Sequence, residues 1–158
     1  MKSPTKRKRA DVDLQQEGRV LIKHGIKAQS IAIEFIDAYT ADKTQIADKD
    51  WGCYMLQQSI ELLLKGLIKY YGEDYRSGHL VKYNAQLLLT MSEHYPELRE
   101  IQDTLSTLAT TLIASEMQKW QSIARYKDLC VKFNAIRQAD EISETLVQYI
   151  RRYDYLSD

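Results

Sequence analysis

The chain is poor in structure breakers and in the residue patterns that hold metals. Of its 158 residues, 6 are Gly and 2 are Pro. A turn-rich β fold needs many more such punctuators, so their scarcity points to helices. Cysteine is limited to Cys53 and Cys130, far apart and without metal-type spacing, which reads as two reduced thiols. His24, His79 and His94 have no ligand spacing between them, and neither HExxH nor CxxC occurs. No P-loop, Gly-rich dinucleotide fingerprint or Ser-His-Asp arrangement can be read from the spacing, so neither metal nor cofactor is expected. No apolar run approaches the ~20 residues of a membrane span. The N-terminus lacks the apolar core of a secretion signal, so the expected location is the cytoplasm, away from membranes. Charge of one sign is lacking too, with 22 Lys+Arg against 22 Asp+Glu. That balance excludes a surface that grips nucleic acid all over, but leaves room for a local basic patch.

What the chain does have is helical periodicity and tyrosine. Tyr occurs 11 times, against 2 Phe and 2 Trp. A tyrosine buries its ring and keeps its hydroxyl wet, which suits bundle edges and interfaces. The organising stretch is Trp51 to Leu80, WGCYMLQQSIELLLKGLIKYYGEDYRSGHL. Leu56, Ile60, Leu63, Leu64, Leu67, Ile68 and Tyr71 recur there at steps of three and four, forming one broad apolar face of a helix. Gln58, Glu61 and Lys65 follow the same steps along an adjacent flank, and Glu61 precedes Lys65 by one turn, the favourable order for an ion pair. Gly72 stands where a left-handed cap would end the helix.

Residues 1–11 read as a flexible basic tail and residues 12–158 as one helical domain. Lys6, Arg7, Lys8 and Arg9 suit a phosphate-binding arm, a nuclear import signal or a solubilising tail. A first helix is expected from about Asp13 to Tyr39, with a kink or a close helix crossing near Gly25. A polar connection at 40–47 precedes the central helix. A third helix is expected from about His79 to His94, with Leu80, Tyr83, Leu87, Leu88 and Met91 inward. A fourth runs from Pro96 to about Glu116 on the stripe Leu98, Ile101, Leu105, Leu108, Leu112 and Ile113. Residues 117–135 lack one clear period and read as a loop or short turns, and a last helix spans about Gln138 to Tyr153. The fold class is all-α, an antiparallel up-and-down bundle of about five helices.

The wording of the central segment resembles the HEPN family of small helical bundles. That family carries a Gln-x-x-Glu-x-x-x-Lys-(Ala/Gly) signature, then a glycine, then His-Leu opening the next helix. The matching residues are Gln58, Glu61, Lys65, Gly66, Gly72, His79 and Leu80. A second patch, Ala124-Arg125-Tyr126, is similar to the Ala-Arg-Tyr that the family places before its last helix. The better-known members, so the resemblance implies, are metal-independent ribonucleases that use an Arg followed after four to six residues by a His, usually paired across a dimer. Such chemistry needs a group titrating near neutral pH and a cation at the developing phosphorane. Arg125 is the counterpart of the motif's Arg, but positions 130 to 132 hold Cys130, Val131 and Lys132 rather than a His.

The resemblance therefore implies a nucleotide- or RNA-binding protein that does not cut. Glu61, Lys65, Arg76, His79, Arg125 and Tyr126 are the candidate contacts. For His79, capping a helix end is the competing role. The family habit and the tyrosines Tyr149, Tyr153 and Tyr155 both suggest a homodimer. A nucleotidyltransferase-type partner and a defence or toxin–antitoxin setting are implied in the same way. Two other readings stand beside this one. The first is an endoribonuclease with a displaced pair, for which Arg19 and His24 have the bare spacing. The second is a helical interaction module without a ligand.

Overall fold

The computed structural model describes the backbone of residues 4–78, 80–121 and 131–157, and the side chains of these from Val12 onward. The helices are α1 (Pro4–Ala41), α2 (Ile46–Tyr70), α3 (Val81–Met91), α4 (Gln102–Thr110), α5 (Ile113–Trp120) and α6 (Phe133–Arg152), with a 3-10 turn over Pro96–Ile101 before α4. No strand occurs among the described residues. None of the helices among them is long and apolar enough to cross a membrane.

Helix α2 is the centre of the bundle and touches α1, α3, α5 and α6. Its apolar stripe is why: Leu56, Ile60, Leu63, Leu64, Leu67 and Ile68 are all fully buried. The helix ends as its glycine predicts. Gly72 has a φ of +81°, and the amides of Gly72 and Glu73 donate back to the carbonyls of Lys69 and Ile68 at 2.9 and 3.2 Å. This pair of bonds satisfies two carbonyls that the helix end would otherwise leave open.

Helices α1 and α2 form an antiparallel hairpin whose backbones touch. A Cβ on Gly18 would stand 2.5 Å from the amide nitrogen of Tyr70 and 2.7 Å from the carbonyl oxygen of Gly66. One on Gly66 would meet Ile22 Cγ1 at 2.6 Å. Further along the seam, the Ser59 hydroxyl donates to the Gly25 carbonyl at 2.8 Å. The interruptions that Gly18 and Gly25 make in the first helix are thus a close helix crossing.

Several boundaries differ from the sequence expectation. The expected fourth helix is broken: Thr111 is extended, with φ −107° and ψ 175°, and α5 starts afresh at Ile113. The hydroxyls of Thr107, Thr110 and Thr111 each donate to the carbonyl four residues back, and such bonds compete with the helix's own ladder. Leu112, expected inward, is 83% exposed as a result. Tyr83, also expected inward, is 51% exposed, and α3 buries Val81, Ala85, Leu88 and Met91 instead. Helix α5 continues into the stretch read as loop, and α6 begins earlier than expected, at Phe133.

The C-terminal tyrosines serve the bundle itself. Tyr149 and Tyr155 are 0% and 3% exposed. Tyr71 donates to Glu97 at 2.5 Å, so in its 2.6 Å contact with Tyr155 it is the acceptor. Tyr155 has then spent its one hydrogen on Tyr71 and accepts from Tyr149. Burial, ahead of these bonds, pushes all three phenols above the usual range. Of the three tyrosines invoked for a dimer interface, only Tyr153 is exposed, because the other two are satisfied inside their own chain.

The seam supplies a test whose sign is informative. Exchanging Gly for Ala in an open helix gains roughly 0.5–1 kcal/mol. A methyl forced against backbone atoms costs about 1–3 kcal/mol. Gly18→Ala is therefore expected to lower the melting temperature by several degrees in a circular dichroism melt. An unchanged or raised midpoint would mean that the two backbones have room to part.

Candidate functional site

The flank of α2 carries a ladder of polar side chains along the buried helix. Glu61 is 5% exposed. One of its carboxylate oxygens accepts from Gln57 Nε2 at 2.6 Å and the other from Lys65 Nζ at 2.7 Å. Gln57, which is fully buried, accepts in turn from Gln58 Nε2 at 2.9 Å. The i,i+4 spacing explains both contacts to the carboxylate, since side chains one turn apart share a face. The side chains of Glu61 and Lys65 are 7% and 13% exposed, so this is a largely desolvated pair. Removing one partner from such a pair costs far more than breaking a surface pair, because the remaining charge stays behind in a dry place.

Beyond Lys65 the ladder opens onto a basic and aromatic patch. The Lys65 ammonium lies 5.3 Å from the centroid of Tyr75, and that of Lys69 lies 6.0 Å from the same ring. Both distances are within cation–π range. Lys69 also stands 3.8 Å from Glu17 and 3.6 Å from Asp74, carboxylates that are 61% and 99% exposed and therefore screened by solvent. The turn that carries Tyr75 is pinned by Asn84, which is 1% exposed. Its Oδ1 accepts from the Arg76 amide at 2.8 Å and its Nδ2 donates to the Arg76 carbonyl at 3.2 Å. The Arg76 side chain is exposed, with its guanidinium 6.0 Å from the centroid of Tyr83.

Of the candidate contacts, the structure joins Glu61 to Lys65 and holds Arg76 on the adjoining turn. His79, Arg125 and Tyr126, with Cys130, lie outside the described residues, as do the side chains of Lys6, Arg7, Lys8 and Arg9. Gln57, Lys69 and Tyr75 were missed by the sequence reading. Gln57 and Lys69 stand one turn before Glu61 and one turn after Lys65, a signal that was available. Nothing in the spacing marks Tyr75, which arrives through the turn.

The alternative chemistries fare poorly. Arg19 donates through Nε to the Tyr155 carbonyl at 3.1 Å, and its guanidinium lies 5.8 Å from the Tyr70 ring. His24, five positions on, is rotated about 140° around the helix from Arg19, and it is exposed. That pair therefore does not face one substrate. Val131 is 4% exposed and packed in the core. Lys132 is exposed, without the burial that turns a lysine into a base. Cys53 is fully buried, and desolvation pushes its thiol up to about 12, so it is no nucleophile. Among the described residues no group of His, Cys, Asp and Glu could hold a metal ion.

The class that emerges is an all-α bundle with a Gln-Glu-Lys ladder on its central helix and a cationic patch beside it. The family model for the HEPN domain matches residues 30–153, and the chain belongs to that family. Neither a curated protein nor a solved structure gives a match.

The buried pair can be tested directly. Lys65→Met keeps the stem and removes the ammonium, and hydrogen bonds to charged groups are worth about 1.5–3 kcal/mol. The variant should lose about that much in a urea titration, with little change in slope. A loss below about 0.5 kcal/mol, the range of an exposed i,i+4 pair, would show that water reaches the carboxylate freely.

Proposed function

We propose that this HEPN-domain protein binds a nucleotide or RNA at the end of α2 and does not cleave it. Family membership points to nucleotide- or RNA-related work. The observation that carries the reading is the Tyr75 ring with the ammonium groups of Lys65 and Lys69 within 6.0 Å of its centroid, on a turn where Arg76 is exposed. Ammonium and guanidinium groups meet phosphate oxygens, and an aromatic ring offers a base a stacking surface. His79, three residues after Arg76, and Arg125 and Tyr126, matched to the family's late Ala-Arg-Tyr patch, belong to the same proposal. Silence in catalysis follows from the late motif, where Cys130, Val131 and Lys132 replace the histidine. Lacking a general acid–base typically costs 10²–10⁴-fold in rate. A homodimer, a nucleotidyltransferase-type partner and a defence or toxin–antitoxin setting are parts of the same proposal. The tyrosine argument for a dimer now rests on Tyr153.

The test is fluorescence anisotropy with short single-stranded RNA, alongside a cleavage assay in the presence of a chelator. Binding should weaken as salt is raised, as phosphate contacts do. Tyr75→Ala should weaken it further, by about the 1–3 kcal/mol typical of a stacked base. No metal-independent cleavage is expected. Robust cleavage that disappears in Arg125→Ala would replace this reading with that of an active endoribonuclease. Absence of binding to RNA and nucleotides alike would favour the interaction module.

A further inference from the structure

A cavity lies at the end of the bundle where residues 153–155 fold back over the C-terminus of α2. It has a volume of about 310 Å³ and is lined by Tyr70, Tyr71, Tyr153, Tyr155, Glu97 and Asp154. Three of these rings form a corner. Tyr70 meets Tyr71 at 81° and Tyr155 at 77°, and Tyr71 meets Tyr155 at 83°, with centroids 4.8 to 6.0 Å apart. The walls are tied to the bundle: Tyr95 stacks on Tyr71 at 4.2 Å and the hydroxyl chain links Tyr155 to Tyr149 and Tyr71.

Two carboxylates and no cationic side chain line this corner. The phenols stay protonated, because burial raises Tyr71 and Tyr155 above the usual range. The charge comes from Glu97 and Asp154. Glu97 accepts from the Tyr71 hydroxyl and Asp154 from the Ser157 hydroxyl. Among the described residues neither carboxylate meets a cation at ion-pair distance. Glu100 next door does, through Arg152 at 2.6 Å. Arg19 already rests 5.8 Å from the Tyr70 centroid, so one ring of the cluster accepts a cation, yet Arg19 does not line the cavity. Aromatic rings with carboxylates at their rim suit a cation carrying apolar carbon, which gains from the rings' quadrupole and the carboxylates together. They repel the phosphate groups that the Lys65–Lys69 patch suits.

We propose that the tyrosine corner is a binding site for an organic cation, an alkylammonium or guanidinium group. That group could belong to a free polyamine or to a Lys or Arg side chain of a partner protein. The site is separate from the basic patch, and the proposal does not rest on nucleotide or RNA binding.

The experiment is isothermal titration calorimetry of the full chain with spermidine, with a short Lys- and Arg-containing peptide, and with inorganic phosphate as the anionic control. Saturable 1:1 binding of spermidine identifies a small-molecule cation site, and binding of the peptide alone identifies a partner's side chain. Glu97→Gln keeps an acceptor for Tyr71 and should weaken binding at least tenfold. Asp154 is exposed, so Asp154→Asn leaves the fold intact and should weaken binding severalfold. Lys65→Met, which touches only the other site, should leave it unchanged. The idea is overturned by the absence of saturable binding of either cation at millimolar concentration. Spermidine affinity unchanged from the parent chain in both the Asp154→Asn and Glu97→Gln variants, or tighter binding of phosphate than of spermidine, would overturn it too.

Discussion

The structure depends on how closely α1 and α2 approach. With Gly18 and Gly66 at the crossing, no side chain separates the two helices, and Ile22 packs against the bare face of its neighbour. Short separation makes dispersion contacts dense, and in a bundle of this size that density substitutes for a larger core. It also decides what α2 can offer elsewhere. One side of α2 is sealed by α1, and further sides by α3, α5 and α6. Solvent reaches α2 at its start, where Ile46 and Trp51 are exposed, along the flank of Lys65 and Lys69, and at the helix end by Tyr70. The basic patch and the tyrosine corner occupy the last two.

A desolvated charge pair in the middle of a helix is poor evidence for stability, because two apolar residues of the same shape would often serve better. What the Gln57–Glu61–Lys65 ladder does provide is a fixed position for a cation. Glu61 holds the Lys65 ammonium at 2.7 Å, and its own carboxylate is held by Gln57 at 2.6 Å. A lysine on an open surface would sample many rotamers and lose that freedom on meeting a phosphate. Here much of the loss has been taken during folding, so the ammonium is ordered before any ligand arrives.

Much of this was legible in the sequence, and the failures have physical causes. The stripe from Leu56 to Ile68 gives the central helix, because burial on one face imposes a period that residues cannot hide. The cap at Gly72 and the crossing near Gly25 were equally legible, since glycine marks places where a side chain is excluded. The break at Thr111 was not. Leu108, Leu112 and Ile113 continue an apolar rhythm, and periodicity cannot register hydroxyls that bond back to the carbonyls of their own helix. Tyr149 and Tyr155 were misassigned for a related reason. Composition shows that a tyrosine needs a partner for its hydroxyl, but not whether that partner lies in another chain or, as here, six residues away. The site residues divide likewise: Glu61 and Lys65 are local neighbours, whereas Tyr75 reaches Lys65 only because Asn84 pins a turn.

The antiparallel hairpin of α1 and α2 has a kinetic meaning as well. Its partners are neighbours in sequence, joined by a tight turn in which Asp42 accepts from the Thr44 amide at 3.0 Å. Closing such a short connection costs little entropy, and folds rich in local contacts form quickly. The bond from Arg19 to the Tyr155 carbonyl spans 136 residues and has the opposite character. The hairpin can therefore zip from its turn toward Gly18 while the rest of the chain is still searching. Closure over Tyr70 needs α6 in place, so loop-closure entropy favours forming the glycine seam ahead of the tyrosine corner.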